Sequence, residues 1–158
     1  MAVAKHRHSA GEEVPRDRVA QEVLEEARIV LPGIQTLFGF QLIAIFAERF
    51  RQLPEAEQVL HYAALMLVAV SIVLIMTPVA YHRIAERKTV SQWFIDLASA
   101  LITTAMLPLM LALSFEVYIV GHVIIGGTGA GIAAAALFFM TGILWLAFPL
   151  WMRKRRVE

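Results

Sequence analysis

The class of fold is decided by residues 59–80, which read VLHYAALMLVAVSIVLIMTPVA. No Asp, Glu, Lys or Arg interrupts this run, and at the rise of an α-helix it extends over about 33 Å. Because the hydrocarbon core of a bilayer is about 30 Å thick, an uncharged apolar run of this length is typical of a transmembrane helix. We therefore predict a membrane span here.

Three further runs, residues 29–47, 97–120 and 131–152, predict three more spans. The chain of 158 residues is 59% hydrophobic and 17% charged, which is more apolar than a soluble domain of this size. The sequence therefore predicts an all-α integral membrane protein built as a bundle of four transmembrane helices. The first run is the weakest, and as a re-entrant or interfacial helix it would leave three spans with the termini on opposite sides.

The distribution of basic residues predicts the orientation of the spans. With four spans, 12 of the 14 Lys and Arg residues fall on one side, in the N-terminal segment, the second loop and the C-terminal tail. An excess of this kind marks the cytoplasmic side of a membrane protein. We expect a multi-pass protein of the bacterial inner membrane with both termini in the cytoplasm, and the charge bias favours four spans over three.

The chain divides into three parts. Residues 1–28 lack the apolar core of a signal peptide, so we expect them to be retained as a cytoplasmic segment. A short charged helix is predicted at residues 16–29, with a bend at Pro32 and Gly33 before the first span continues. Residues 29–152 form the transmembrane domain, and residues 153–158 form a basic cytoplasmic tail.

Composition narrows the choice of cofactors and partners. The sequence has no cysteine, which excludes disulfides and thiolate metal sites, and its net charge of +1 gives no argument for a nucleic-acid partner. Membrane lipids are the expected partners, together with further copies of the chain or a larger membrane complex. Small residues four apart, Gly127, Gly131 and Ala135, favour close helix packing within the subunit or across an oligomer.

Polar side chains within the spans are the first candidates for function, because ionisable groups are costly in lipid. Glu48 and Glu116 lie near the outer ends of the first and third spans, and at 100° per residue Gln41 shares a helical face with Glu48. Gln41, Glu48 and Glu116 are therefore a candidate polar pathway. The competing interpretation is that both carboxylates simply mark helix ends in contact with water.

The histidines also lie at the ends of spans. His61 and His122 are predicted on the outer side and His82 on the inner side, where only His6 and His8 offer it a partner, so we expect no haem or other cofactor. The sequence shows no metal site, nucleophile or acid–base pair of usable spacing. We accordingly predict no catalytic residues and no enzymatic activity.

Two local patterns carry a resemblance to a known family. Residues 26–40, EARIVLPGIQTLFGF, and residues 78–83, PVAYHR, resemble the LPG-x-Q-x-LF-x-F and PVAYHR signatures of a family of small bacterial membrane proteins of unknown function. The similarity covers most of the chain, including HVIIG at residues 122–126. It implies a four-span protein of bacterial origin and no particular activity. The matching signature residues are Leu31, Pro32, Gly33, Gln35, Phe38, Phe40, Pro78, Tyr81, His82 and Arg83.

The predicted depth of these residues suggests a second candidate site. Pro32 and Gln35 belong to the cytoplasmic part of the first span, and Tyr81, His82 and Arg83 end the second span on the same side. We hypothesise that these five residues form one cluster near the cytoplasmic surface, where an arginine is suited to a lipid phosphate or a neighbouring carboxylate.

Three classes of function are compatible with these features. We favour a structural or interaction subunit that works as an oligomer or within a larger membrane complex. The alternative is a small ion channel or carrier whose pore forms between protomers, because four helices with few polar residues do not enclose a wide pathway. A third class, an enzyme acting on lipid at the cytoplasmic interface, rests on the Tyr81, His82 and Arg83 segment alone.

Overall fold

The computed structural model describes residues 15–85 and 90–155, and every regular element in those ranges is helical. The predicted N-terminal segment up to residue 14, the loop residues 86–89 and the end of the basic tail at 156–158 lie outside the described residues. The elements in chain order are α1 (Arg16–Ala44), a 3-10 turn (Glu48–Gln52), α2 (Glu55–Ala85), α3 (Gln92–Ile125), α4 (Gly127–Gly142), a π-helical turn (Ile143–Ala147) and α5 (Phe148–Arg155).

Four helical segments are long and apolar enough to cross a membrane, namely Arg18–Ala44, Glu55–Ala85, Gln92–Ile125 and Gly127–Arg155. The predicted all-α bundle of four membrane helices is therefore confirmed. The last segment runs from α4 through the π-helical turn into α5. Phe148 N donates to Ile143 O at the end of that turn, and the turn ends two residues before Pro149, which has no N–H to give to the helix.

The first helix differs from the sequence prediction. The charged segment and the first span form one helix, α1, which continues through Pro32 instead of breaking there. The reason is a single buried row, in which Ala20, Ala27, Ile34 and Gln41 recur at every seventh residue on both sides of the proline. Because one face packs against the bundle along its whole length, the loss of one backbone hydrogen bond at Pro32 does not end the helix.

The other two inner helices show the same seven-residue spacing. The buried residues of α2 alternate at intervals of four and three, and they are Glu57, His61, Ala64, Val68, Ser71, Ile75 and Pro78. On α3 the corresponding row contains Ala98, Ala105, Ala112 and Ile119. Helices that repeat buried residues in this way pack nearly parallel or antiparallel with interlocking side chains.

These rows place the core between α2 and α3, which share the most extensive interface of the bundle, with α1 packed across both. The middle of the core is apolar and built largely from small side chains such as Ala64, Val68, Ala105 and Ala112. A polar link in this part of the core is Ser71, whose hydroxyl donates to the carbonyl of Ala105 at 3.1 Å. Small residues let the helices approach closely, which is the main source of packing energy between helices in lipid.

The fourth span packs mainly against α3. A Cβ atom added at Gly121 would lie 3.1 Å from the Cβ of Ala130, so this glycine is required for the close approach of α3 and α4. The predicted small-residue pairing is different in detail, because Gly131 faces open space and Ala135 is exposed. The outward face of α4 and α5 is apolar, with Ile132, Phe139 and other large side chains exposed.

A single residue, Gly126, separates α3 from α4. Its backbone has φ 80° and ψ 166°, a combination that is essentially restricted to glycine because any Cβ clashes there. We expect Gly126→Ala to lower the free energy of unfolding by about 1–3 kcal/mol. The measurement is the midpoint of unfolding of the purified protein in detergent.

Gly33→Ala is the matched control for that substitution. Gly33 lies within α1 with no atom within 4 Å of an added Cβ, so alanine there is expected to be neutral or to stabilise by up to about 1 kcal/mol. Equal midpoints for the two variants would contradict the backbone argument at Gly126.

Candidate functional site

Among the described residues, the buried ionisable side chains Glu57 and His61 lie with Gln41 at one end of the bundle, which we call the Gly126 end. There α1 and α3 finish and α2 and α4 begin; the opposite end, where α1 and α3 begin, is called the terminal end. The buried rows of α1 and α2 become polar as they approach the Gly126 end. Five side chains meet there, and we call them the His61 cluster: Gln41, Glu57, His61, Glu116 and His122.

His61 joins three helices at the centre of this cluster. Its Nδ1 lies 3.0 Å from Oε1 of Glu116 on α3, and its Nε2 lies 3.0 Å from the backbone oxygen of Gln41 on α1. The side-chain amide of Gln41 donates to the same Glu116 oxygen at 2.8 Å. Gln41 and His61 are both buried, and the side chain of Glu116 is 20% exposed. The three residues therefore form one closed network between α1, α2 and α3.

The contacts of His61 indicate where the network can hold protons. A backbone carbonyl only accepts hydrogen bonds, so Nε2 of His61 is the nitrogen that donates to Gln41. A hydrogen bond between Nδ1 and Glu116 then requires a second proton, either on the ring as an imidazolium or on the carboxyl group as an acid. Removal of this proton would bring two lone pairs face to face. The His61 and Glu116 pair is thus arranged to hold one exchangeable proton.

A second imidazole and carboxylate pair lies beside the first. Nδ1 of His122 contacts Oε1 of Glu57, which ties the end of α3 to the start of α2. The Glu57 side chain is buried, whereas His122 is partly exposed and stacks on Tyr118 with ring centroids 5.9 Å apart. Within the described ranges, no group of three His, Asp or Glu side chains has the arrangement of a metal site.

A cavity of about 720 Å³ opens next to the cluster. Glu57, His61, Glu116 and His122 form its polar wall, and residues of the 3-10 turn and α3 form the rest, including Phe50, Leu53, Ile119 and Val123. The Phe50 ring meets the His61 ring edge-on, with centroids 5.0 Å apart. Cavities of about 300–1,000 Å³ with mainly apolar walls and a few polar groups are typical of small-molecule sites.

Two oxygen atoms of the cluster are buried and have no hydrogen-bond partner among the described residues. They are Oε1 of Gln41 and Oε2 of Glu57, and both residues are at least nine-tenths buried. A buried acceptor without a donor costs about 1–3 kcal/mol, and such groups in native proteins call for an explanation, including an unseen ligand or water. The unmet hydrogen-bonding capacity at the Gly126 end is therefore that of acceptors.

The predicted polar pathway is brought together in part. Gln41 and Glu116 are in direct contact, but Glu48 lies on the 3-10 turn with an exposed side chain. The helical-face argument that paired Gln41 with Glu48 does not apply, because α1 ends at Ala44. The apolar residues that follow, Ile45 and Phe46, extend the hydrophobic run without extending the helix.

Of the second predicted cluster, Tyr81 and His82 pack on an aromatic ring at the terminal end. Tyr81 stacks on Phe94 with centroids 5.9 Å apart, and His82 packs against the same ring at 5.4 Å. A cavity of about 240 Å³ beside His82 and Arg83 is lined on α1 by Leu24, Ala27, Arg28 and Leu31. Pro32 and Gln35 are exposed on α1 and do not line this cavity.

Glu57, His61 and His122 were not among the residues predicted for the polar pathway. A signal was present, because Glu57 and His61 are four residues apart and so share one face of α2. His61 and His122 were also predicted on one side of the membrane. Their pairing with carboxylates from neighbouring helices depends on which faces of α2 and α3 meet, which the local sequence does not specify.

Long apolar helices with a polar cluster buried among them define a multi-pass integral membrane protein with a site near one end of its bundle. The chain belongs to DUF6328, a family of unknown function whose model matches residues 10–149. The match agrees with the resemblance to an uncharacterised family noted from the sequence. No curated protein and no solved structure was found to match the chain.

Proposed function

We propose that this protein is a small carrier or channel of the bacterial inner membrane, one that takes up and releases a proton at the His61 cluster. The observation that carries the proposal is the contact of both His61 ring nitrogens with acceptors, one of them the Glu116 carboxyl group. Ionisable groups held inside a bundle of membrane helices are functional by default, because lipid-facing helices rarely retain them otherwise.

The basic residues support an orientation for the proposed carrier. Arg16, Arg18 and Arg28 lie towards the terminal end of α1, and Arg153 and Lys154 end α5. The positive-inside rule puts this end in the cytoplasm. The His61 cluster and its cavity then face the outer side, and both termini are cytoplasmic.

The interior of a single bundle offers little polar surface along which a transport pathway could continue to the terminal end. Towards the terminal end the buried row below His61 consists of Ala64, Val68, Ser71 and Ile75, and only Ser71 is polar. We therefore infer that the remaining pathway forms between protomers or opens through a change in helix packing, in a protein that has no enzymatic activity.

The second candidate function is a structural or interaction subunit of an oligomer. The apolar outward face of α4 and α5 favours it, because Ile132, Phe139 and Met140 are exposed and Gly131 lies in open space. Small residues beside large apolar ones allow close packing of a second helix in lipid. The two candidates are compatible, since a carrier whose pathway forms between protomers is itself an oligomer.

Proton flux in liposomes tests the carrier proposal. We expect reconstituted protein to dissipate an imposed pH gradient faster than empty liposomes, and Glu116→Gln to return the rate to that of empty liposomes because an amide cannot hold the shared proton. Glu48→Gln is the matched control: it removes an exposed carboxylate at the same end and is expected to keep the wild-type rate. A wild-type rate equal to that of empty liposomes would contradict the proposal.

A further inference from the structure

The chemical class of ligand that suits the cavity is indicated by the hydrogen bonds that the residues of its walls leave unmade. Oε2 of Glu57 is buried and unpartnered among the described residues, and Glu57 lines the cavity. Oε1 of Gln41 is likewise unpartnered among the described residues, but Gln41 does not line the cavity, so Glu57 carries the argument. A ligand that completes this site has to supply N–H or O–H donors.

The charges around the cavity favour a donor that is also a cation. Both carboxylates, Glu57 and Glu116, have restricted access to water, whereas the one arginine of the lining, Arg49, is exposed on the 3-10 turn. The α1 helix contributes only the apolar Ala44 to the lining. The titratable and charged groups that face the cavity are Glu57 and His61 from α2, Glu116 and His122 from α3, and Arg49.

Most of the remaining lining is apolar. Phe50, Leu53, Ile119 and Val123 contribute hydrocarbon surface to the same cavity as the carboxylates, and an aromatic ring adds a face to which cations are attracted. The cavity therefore combines carboxylates suited to an ammonium group with apolar surface suited to an alkyl or aryl group, in a volume large enough for both.

We infer that this cavity binds a small organic ammonium ion, with its N–H groups donating to Glu57 and Glu116, in exchange for a proton of the His61 cluster. The inference rests on the proposed function, because it names the substrate class of the same site.

The exchange balances in charge. One ammonium ion enters with one positive charge, its N–H protons are shared with the carboxylates, and one proton leaves from the His61 and Glu116 pair or from the His122 and Glu57 pair. The net charge of the cavity is then the same before and after binding. The exchange therefore avoids the free-energy cost of adding an unpaired charge to a buried site.

Calorimetry on the full chain in nanodiscs tests this inference with phenethylammonium chloride as the probe and phenethyl alcohol as its neutral counterpart. We expect saturable binding of the ammonium ion, and binding of the alcohol at least about tenfold weaker, because charge-assisted hydrogen bonds are lost. Titrations in two buffers of different ionisation enthalpy count the protons released, and one per bound ammonium is expected. Equal affinity for the alcohol, no proton release, or no saturable binding would each overturn the inference.

Glu57→Gln is expected to weaken ammonium binding by at least about tenfold, whereas Glu55→Gln, an exposed glutamate two residues away, is expected to leave it unchanged. The comparison with the alcohol uses the unaltered chain, so it decides the question even where Glu57→Gln impairs folding. Proton flux without ammonium binding would remove this inference and leave the proposed function standing. Ammonium binding with proton release but without flux would contradict the proposed function and leave a binding site for the ammonium ion.

Discussion

Glu116→Leu is expected to destabilise the bundle by about 3–5 kcal/mol, because it leaves a buried imidazole and a buried amide without their shared partner. Oε1 of Glu116 is in contact with Nδ1 of His61 and accepts a hydrogen bond from Gln41. The measurement is unfolding in mixed micelles, followed by circular dichroism. Glu48→Leu, which changes an exposed glutamate of the 3-10 turn, is expected to shift stability by no more than about 0.5 kcal/mol.

A double variant separates the lost contact from other effects of leucine at position 116. In His61→Leu with Glu116→Leu, no imidazole is left unpaired opposite leucine, so the combined loss is expected to be smaller than the sum of the two single losses by about 1–3 kcal/mol. Strict additivity would show that His61 and Glu116 do not interact in the folded protein, and the network at the Gly126 end would be wrong.

Phe94→Ala is expected to cost about 3–5 kcal/mol, the largest effect of any change at the terminal end. Phe94 is fully buried and is the largest such side chain among the described residues. It packs with Ala20 and Ala98 and carries Tyr81 and His82 on its ring. Removal of the ring leaves a cavity that these small neighbours are not able to fill.

Trp93→Ala is the control for Phe94→Ala. Trp93 is the larger side chain but is 57% exposed, and its main aromatic contact is with Tyr81 at 5.2 Å. An aromatic pair of this kind contributes about 0.5–1.5 kcal/mol beyond its area, so the expected loss is about 1 kcal/mol. A larger loss for Trp93→Ala than for Phe94→Ala would contradict the packing at the terminal end.

Hydropathy was sufficient to predict the four spans, because the length of an apolar run reports directly on the thickness of lipid. It was not sufficient to place the helix ends. The run at residues 29–47 continues past Ala44, where α1 ends, so Glu48 was assigned to a helical face that does not exist. At Pro32 the sequence predicted an interruption where the helix continues. A local rule predicted a bend there, but packing through Ala27 and Ile34 holds the helix together.

The sequence indicated individual residues of the candidate site but not which of them are in contact. Glu116 and Gln41 stand out in the sequence as polar residues within spans, and Glu57 and His61 share a helical face. Which of them meet depends on the rotation of α1, α2 and α3 about their axes. That rotation is set by rows of small buried residues such as Ala64, Ala105 and Ala112. Residue type alone does not mark these positions, because Ala80 on α2 and Ala135 on α4 are exposed.

The most direct test of the proton held at the His61 cluster is nitrogen-15 NMR of histidine-labelled protein in lipid bilayers. The geometry predicts that Nε2 of His61 is protonated and that Nδ1 shares its proton with Glu116. Glu116→Gln is then expected to shift the Nδ1 signal, while Glu48→Gln leaves it as in the wild type. A His61 spectrum that is identical in the wild type and in Glu116→Gln would contradict the account.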